Sequence, residues 1–157
     1  MTFTGHNDDG TWLYGLGLGY EKPCWVNASY IKLEGNISDL EPVYPGKVLL
    51  PLFSHPSFPP VSDVEAVRNG DQVHVTWVGY ELPPGDRESA NSPVYLVEAW
   101  VCQAGKIVFM PIGAYTESVL LTDEAGCAEP SHGHVFVSHK DGYIGPVEIP
   151  WPAYSKQ

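Results

Sequence analysis

Between Gln72 and Cys127 the chain carries a pattern that few folds accommodate. In Gln72-Val-His-Val-Thr-Trp77, the residues Val73, Val75 and Trp77 alternate with His74 and Thr76, the period-2 signature of a strand with one buried face. A proline- and glycine-bearing loop follows, and order resumes at Pro93-Val-Tyr-Leu-Val-Glu-Ala-Trp-Val-Cys102, with a second cysteine at Cys127. Strand, loop, strand and two cysteines predict the core of a small extracellular β-sandwich. The pattern specifies an architecture and no reaction.

The rest of the chain agrees with an all-β fold. Its 157 residues suffice for one domain with a proper core or for two small ones. Hydrophobic residues make up 43%, which predicts a packed chain rather than disorder. Prolines (15) and glycines (16) fall between apolar runs, as expected of short strands joined by turns, and no window repeats apolar residues at helical spacing over three turns. The net charge of −11 repels phosphate backbones and anionic lipid surfaces, which argues against nucleic acid as a partner. No apolar run approaches 18 residues, so no membrane insertion is expected. Met1-Thr-Phe-Thr-Gly5 has neither the basic nor the apolar region of a signal peptide. Secretion therefore implies a mature or excised piece.

Residues 1–33 form short β-like pieces. Thr11-Trp12-Leu13-Tyr14 follows the turn signal Asp8-Asp9-Gly10, and Cys24-Trp25-Val26 follows a glycine-rich reversal. The order Asp-Gly-Thr-Trp-Leu, glycine turn, Trp25-Val26-Asn27-Ala28-Ser29-Tyr30-Ile31 resembles the C-terminal half of a bacterial SH3 (SH3b) domain. Cys24 stands where that family carries glycine, and the family's first half is missing. The resemblance implies a small partial barrel whose edges need cover, from the following domain or from another chain. Residues 34–60, with six prolines from Pro42 to Pro60, read as a connector. Its apolar, proline-broken run Val48–Phe53 is expected to lie as a strap over a neighbour.

From Pro59 a second resemblance begins. Pro59–Ala66, the turn Asn69-Gly70-Asp71 and Val73–Trp77 look like strands A and B of a fibronectin type III domain. Tyr95–Cys102 then matches strand C, Ile107–Met110 C′, Ser118–Thr122 E, His134–His139 F and Val147–Trp151 G. The resemblance implies a fibronectin-III-like (Ig-like) sandwich over 61–152, ahead of a tail at 153–157.

Candidate sites are few. Cys102 and Cys127 are expected to form a structural disulfide closing a loop of about 25 residues, worth ~3.5 kcal/mol in the chain-entropy model. Cys24 is then the odd cysteine, expected to be a small buried residue beside Trp25, with intermolecular pairing as the alternative. His132 and His134 point to one face of an extended chain and are the candidate metal ligands, whereas His139, an odd number of residues further along the same strand, is expected to point to the opposite face. No third ligand is placed by sequence, and no metal or other cofactor is expected. If Tyr95, Val97, Ala99 and Val101 face the core, Leu96, Glu98 and Trp100 face away. Trp100, flanked by Tyr115, is then a candidate binding platform unless the strap or the SH3b-like segment covers it. Gly15-Leu-Gly-Leu-Gly19 reads as a turn, since Tyr20 stands where a dinucleotide fingerprint needs glycine. Asn27-Ala-Ser29 and Asn36-Ile-Ser38 are formal glycosylation sequons. No nucleophile or carboxylate pair suggests catalysis.

These readings converge on a non-catalytic, secreted or cell-surface binding or adhesion module, whose partner is a protein or a cell-wall glycan. One alternative is a structural subunit of a self-assembling surface filament or layer, using copies of itself as partner by strand complementation. Another is an accessory or carbohydrate-binding domain of a secreted hydrolase.

Overall fold

The computed structural model describes residues 1–7, 10–17, 19, 23–43, 52–87 and 90–154. The chain divides into two compact units, Met1–Leu49 and Leu50–Gln157. Regular structure among the described residues consists of strands and two 3-10 turns. The fold class is all-β.

In the first unit, β1 (Thr2–His6), β2 (Trp12–Leu16), β3 (Cys24–Asn27) and β4 (Glu41–Pro42) form one sheet in the order β3-β2-β1-β4. Asn7 makes the β1–β2 hairpin. Its backbone N–H donates to Trp12 O (3.0 Å), its Oδ1 accepts from Trp12 N (2.8 Å) and its Nδ2 donates to Thr11 Oγ1 (3.1 Å). Leu13 and Tyr14 are buried on β2, and Tyr14 packs on Trp25 with ring centroids 5.2 Å apart.

The expected boundary at residue 33 moves. β4 pairs parallel to β1, Val43 N donates to His6 O (2.9 Å), and the Val43 side chain is buried. It lies so close over Gly5 that a Cβ there would meet Val43 Cγ2 at 1.8 Å. Residues 34–43 thus belong to the first unit rather than to a free connector. The sheet they join does not close into a barrel among the described residues.

The second unit is a two-sheet sandwich. β5 (Ser62–Asn69), β6 (Gln72–Val78) and β9 (Ser118–Thr122) form one sheet in the order β5-β6-β9. β7 (Tyr95–Gln103), β8 (Lys106–Ala114), β10 (His132–His139) and β11 (Gly142–Glu148) form the other, in the order β11-β10-β7-β8. All neighbours are antiparallel. Val73, Val75 and Trp77 on β6 share the core with Tyr95, Val97, Ala99 and Val101 on β7 and Val135 and Val137 on β10, so strand parity follows the alternation in the sequence. Each fully buried valine or leucine here is worth about 1.5–3 kcal/mol.

Two strand assignments shift. β11 begins at Gly142, directly after the tight Lys140–Asp141 turn, rather than at Val147, and Trp151 lies beyond it. β8 continues through Pro111 to Ala114. It is an edge strand, where a proline costs no ladder hydrogen bond if its nitrogen faces outward.

Of the apolar run Val48–Phe53, only Leu52 and Phe53 fall within the described residues. Leu52 makes a parallel bridge to Tyr143, and Phe53 N donates to Tyr143 O (2.9 Å). The segment Leu52–Phe58 therefore straps the outer edge of β11, which would otherwise present unpaired backbone.

Candidate functional site

The cross-strand register decides the fate of the aromatic platform. On the outer face of the four-stranded sheet, Trp100 stands between Phe109 on β8 and His132 on β10. The His132 ring lies parallel to the indole, with centroids 4.9 Å apart at 4°, and Phe109 leans on it at 4.8 Å. A sugar stacks on an open aromatic face, and the imidazole already occupies one face of this indole. Tyr115 does not flank it. Tyr115 follows Ala114, which pairs with Tyr95 at the far end of β7, six residues and on the order of 20 Å along the strand from Phe109. There its hydroxyl donates to Asn91 O (3.1 Å). Trp100 and Tyr115 are thus two separate features, and cross-strand neighbours already pack on the Trp100 indole. Leu96 and Glu98, expected to face outward, are buried as well.

His132 and His134 do share the outer face, since both contact Trp100. His132 is committed to the indole and to Pro130 O (3.3 Å from its Nδ1). His134 sits beside Phe136 and opposite Glu148 on β11. Burial pushes its pKa down, the charge of His132 adds to this, and Glu148 opposes it. Among the described residues no group of three or more His, Cys, Asp or Glu side chains is placed to hold a metal.

Cys102 and Cys127 are joined as a disulfide. The bond closes the Asp123–Ser131 loop at one end of the sandwich, around a carboxylate that the sequence did not single out. Asp123 is buried and ion-paired to Arg68 of β5. It accepts from Cys102 N (2.7 Å), Ser131 Oγ and Trp151 Nε1 (2.9 Å). Arg68 also donates to Pro152 O and Asp123 O, and its guanidinium lies over the Tyr154 ring at 4.9 Å. Burial alone would raise the Asp123 pKa, but the hydrogen bonds from Ser131, Arg68, Trp151 and Cys102 N–H outweigh it and hold the carboxyl below the usual range. A cleft of about 490 Å³ opens here beside Glu124, Cys127 and Trp151. Its central charges are spent on joining β5, β7, the disulfide loop and the C-terminal tail.

The opposite end gathers a second cluster that the sequence did not reveal. His139, expected to point away from His132 and His134, is buried at the end of β10. Its ring is stacked on Phe53 (4.2 Å, 7°) and tilted against Phe58 (4.9 Å). Its Nδ1 accepts from Asp141 N (3.1 Å), which places the proton of the neutral ring on Nε2. Nε2 lies 3.8 Å from Asp86 Oδ1, which is held by Lys140 Nζ at 2.7 Å.

The remaining motifs are structural. Cys24 is exposed, not buried: among the described residues β3 is an edge strand paired with β2 alone, and Cys24 projects from it into solvent. Gly15 lies within β2, where a Cβ would meet Thr2 O at 2.3 Å; close strand approach, not phosphate binding, requires glycine there. Both sequons cap 3-10 turns: Asn27 Oδ1 accepts from Ser29 N (3.0 Å) and Asn36 Oδ1 from Ser38 N (3.1 Å). Asx-type capping accounts for the Asn-x-Ser pattern. No helix among the described residues is long and apolar enough to cross a membrane. No family model matches the chain, and no curated protein matches it.

Proposed function

We propose that this chain is a non-catalytic binding or adhesion module of an extracellular or cell-surface protein, with a protein or cell-wall glycan as partner. The observation that carries this reading is the second unit's arrangement. A three-stranded β5-β6-β9 sheet packs on a four-stranded β11-β10-β7-β8 sheet, with Trp77 buried on the second strand and a disulfide at one end. This order is similar to that of fibronectin type III domains, which serve extracellular proteins as binding and spacing units. In the first unit, the Trp25–Tyr30 segment that resembles SH3b domains ends β3 and turns into a 3-10 helix. That resemblance favours a wall polymer or peptide. The disulfide supports an extracellular setting independently, because such bonds persist in oxidising compartments.

The direct test is co-sedimentation of the intact oxidised chain with purified peptidoglycan, alongside a panel of unrelated polysaccharides. Saturable retention on peptidoglycan supports the module, and failure to bind any wall polymer removes the glycan branch.

A second reading, a self-assembling structural subunit, is favoured by the edge strand β3 with its exposed Cys24 thiol. Light-scattering mass across concentration, with and without reductant, separates the two. Constant monomer mass supports the module, whereas growth into long assemblies supports the subunit.

A further inference from the structure

The strap Leu52–Phe58 is held to the sandwich at two places: the backbone contact with Tyr143 and the aromatic box around His139. That box contains two imidazoles. His55 faces Phe53 (6.2 Å, parallel) and Phe58 (5.5 Å), the same two rings that enclose His139. We propose that the strap is an acid-released clasp, let go when His139 takes up a proton.

The neutral ring already carries hydrogen on Nε2, so the second proton lands on Nδ1, the atom that accepts from Asp141 N. Protonation therefore sets two N–H groups against each other and breaks the hydrogen bond that fixes the ring. It also places charge on a side chain that is 1% exposed. The charged groups around the ring are few. Asp141 lies 3.5 Å from Nδ1 but is 56% exposed, and water weakens its attraction. Asp86, on the long loop after β6, is 3.8 Å from Nε2 and already neutralised by Lys140. Lys140 on the turn and His55 on the strap disfavour a charge on His139. The faces of Phe53 and Phe58 attract a cation, but they keep that attraction only while the ring stays in place, and its Nδ1 contact no longer allows this. Burial, partly opposed by Asp141 and Asp86, holds the His139 pKa below its ordinary 6.5. By linkage, strap opening becomes up to ~10-fold easier for each pH unit below that ordinary value, until the enclosed ring itself titrates. Release bares Phe53, Phe58 and the edge of β11 at Tyr143, a surface suited to strand addition.

Amide hydrogen exchange of the intact chain at pH 7.5 and 5.0, corrected for intrinsic rates, tests this. The Phe53 amide, bonded to Tyr143 O, and the Phe58 amide, bonded to His55 O, should lose at least 10-fold in protection at pH 5.0. Val75 and Val97 in the core should stay protected. In His139→Phe, which keeps an aromatic ring and removes the titration, strap protection should be equal at both pH values. Nitrogen NMR of the wild-type His139 ring gives a check that needs no variant: loss of strap protection should begin below the ordinary histidine value and level off where the ring titrates. Unchanged strap protection, equal loss in His139→Phe, loss shared by the core, or a loss that keeps growing well below the ring's own midpoint would each overturn the proposal.

Discussion

Arg68 and Asp123 stand 55 residues apart in the chain, yet they form an ion pair whose side chains are 9% and 3% exposed. A buried pair is a weak net source of stability, but removing one partner strands the other at a cost of about 3–5 kcal/mol. Asp123→Ala should therefore lower the unfolding free energy measured in urea by about 3 kcal/mol, since Cys102 N–H, Ser131 and Trp151 lose their acceptor too. The pH dependence has a definite sign. With its folded pKa depressed, Asp123 contributes stability that is complete above the ordinary carboxylate value and is lost as pH falls through the folded one. Acid unfolding of the wild type below about pH 4 should be steeper than that of Asp123→Asn. Equal profiles would show that folding does not lower the Asp123 pKa.

The disulfide should be separable from the third cysteine by reactivity. Cys24 is exposed, while Cys102 and Cys127 are bonded. A thiol reagent should therefore titrate one thiol per native chain, and three after unfolding in reductant. Cys102→Ser with Cys127→Ser should cost about 3.5 kcal/mol in chemical denaturation. A loss below about 1 kcal/mol would mean that the Asp123 network holds the loop without the bond.

Trp100 and Tyr115 should part company on mutation. Trp100 is wedged between His132 and Phe109, so Trp100→Ala should destabilise by about 2 kcal/mol, below the range for a fully buried tryptophan. Tyr115 is 66% exposed, and Tyr115→Ala should stay within about 0.5 kcal/mol of wild type. If Trp100→Ala unfolds normally but loses glycan retention, the indole is a binding platform after all.

Parity was legible in the sequence, and partnership was not. Val73, Val75 and Trp77 announce a buried face because alternation is local to one strand. So does the core face of β7. The pairing of Trp100 with His132 depends on register between strands 32 positions apart, and no local signal sets it. Arg68 and Asp123 are ordinary charged residues at strand ends, visible as partners only once β5 and the disulfide loop meet. His139 lies opposite His132 and His134 as strand parity requires, but the rings that bury it come from a proline-rich segment without periodicity. The apolar neighbours of Cys24 suggest a core, whereas β3 is an edge among the described residues. Likewise, Val43 gives no sign that it seats itself over Gly5.

His134 offers the finest test of the outer face. Its pKa is lowered first by burial and then by His132, and is raised by Glu148. Its proton-NMR titration midpoint should thus fall below the ordinary histidine value. His132→Gln should raise the midpoint and Glu148→Gln should lower it further, opposite shifts that a single burial effect cannot produce. The stability sign follows from the same shift: the folded chain binds this proton less readily than the unfolded one. The neutral ring's contribution is therefore complete above pH ~6.5 and declines as pH falls toward the folded value. A midpoint that ignores both substitutions would mean that the two side chains do not face His134 in solution, and the assigned β7–β10–β11 register would have to be redrawn.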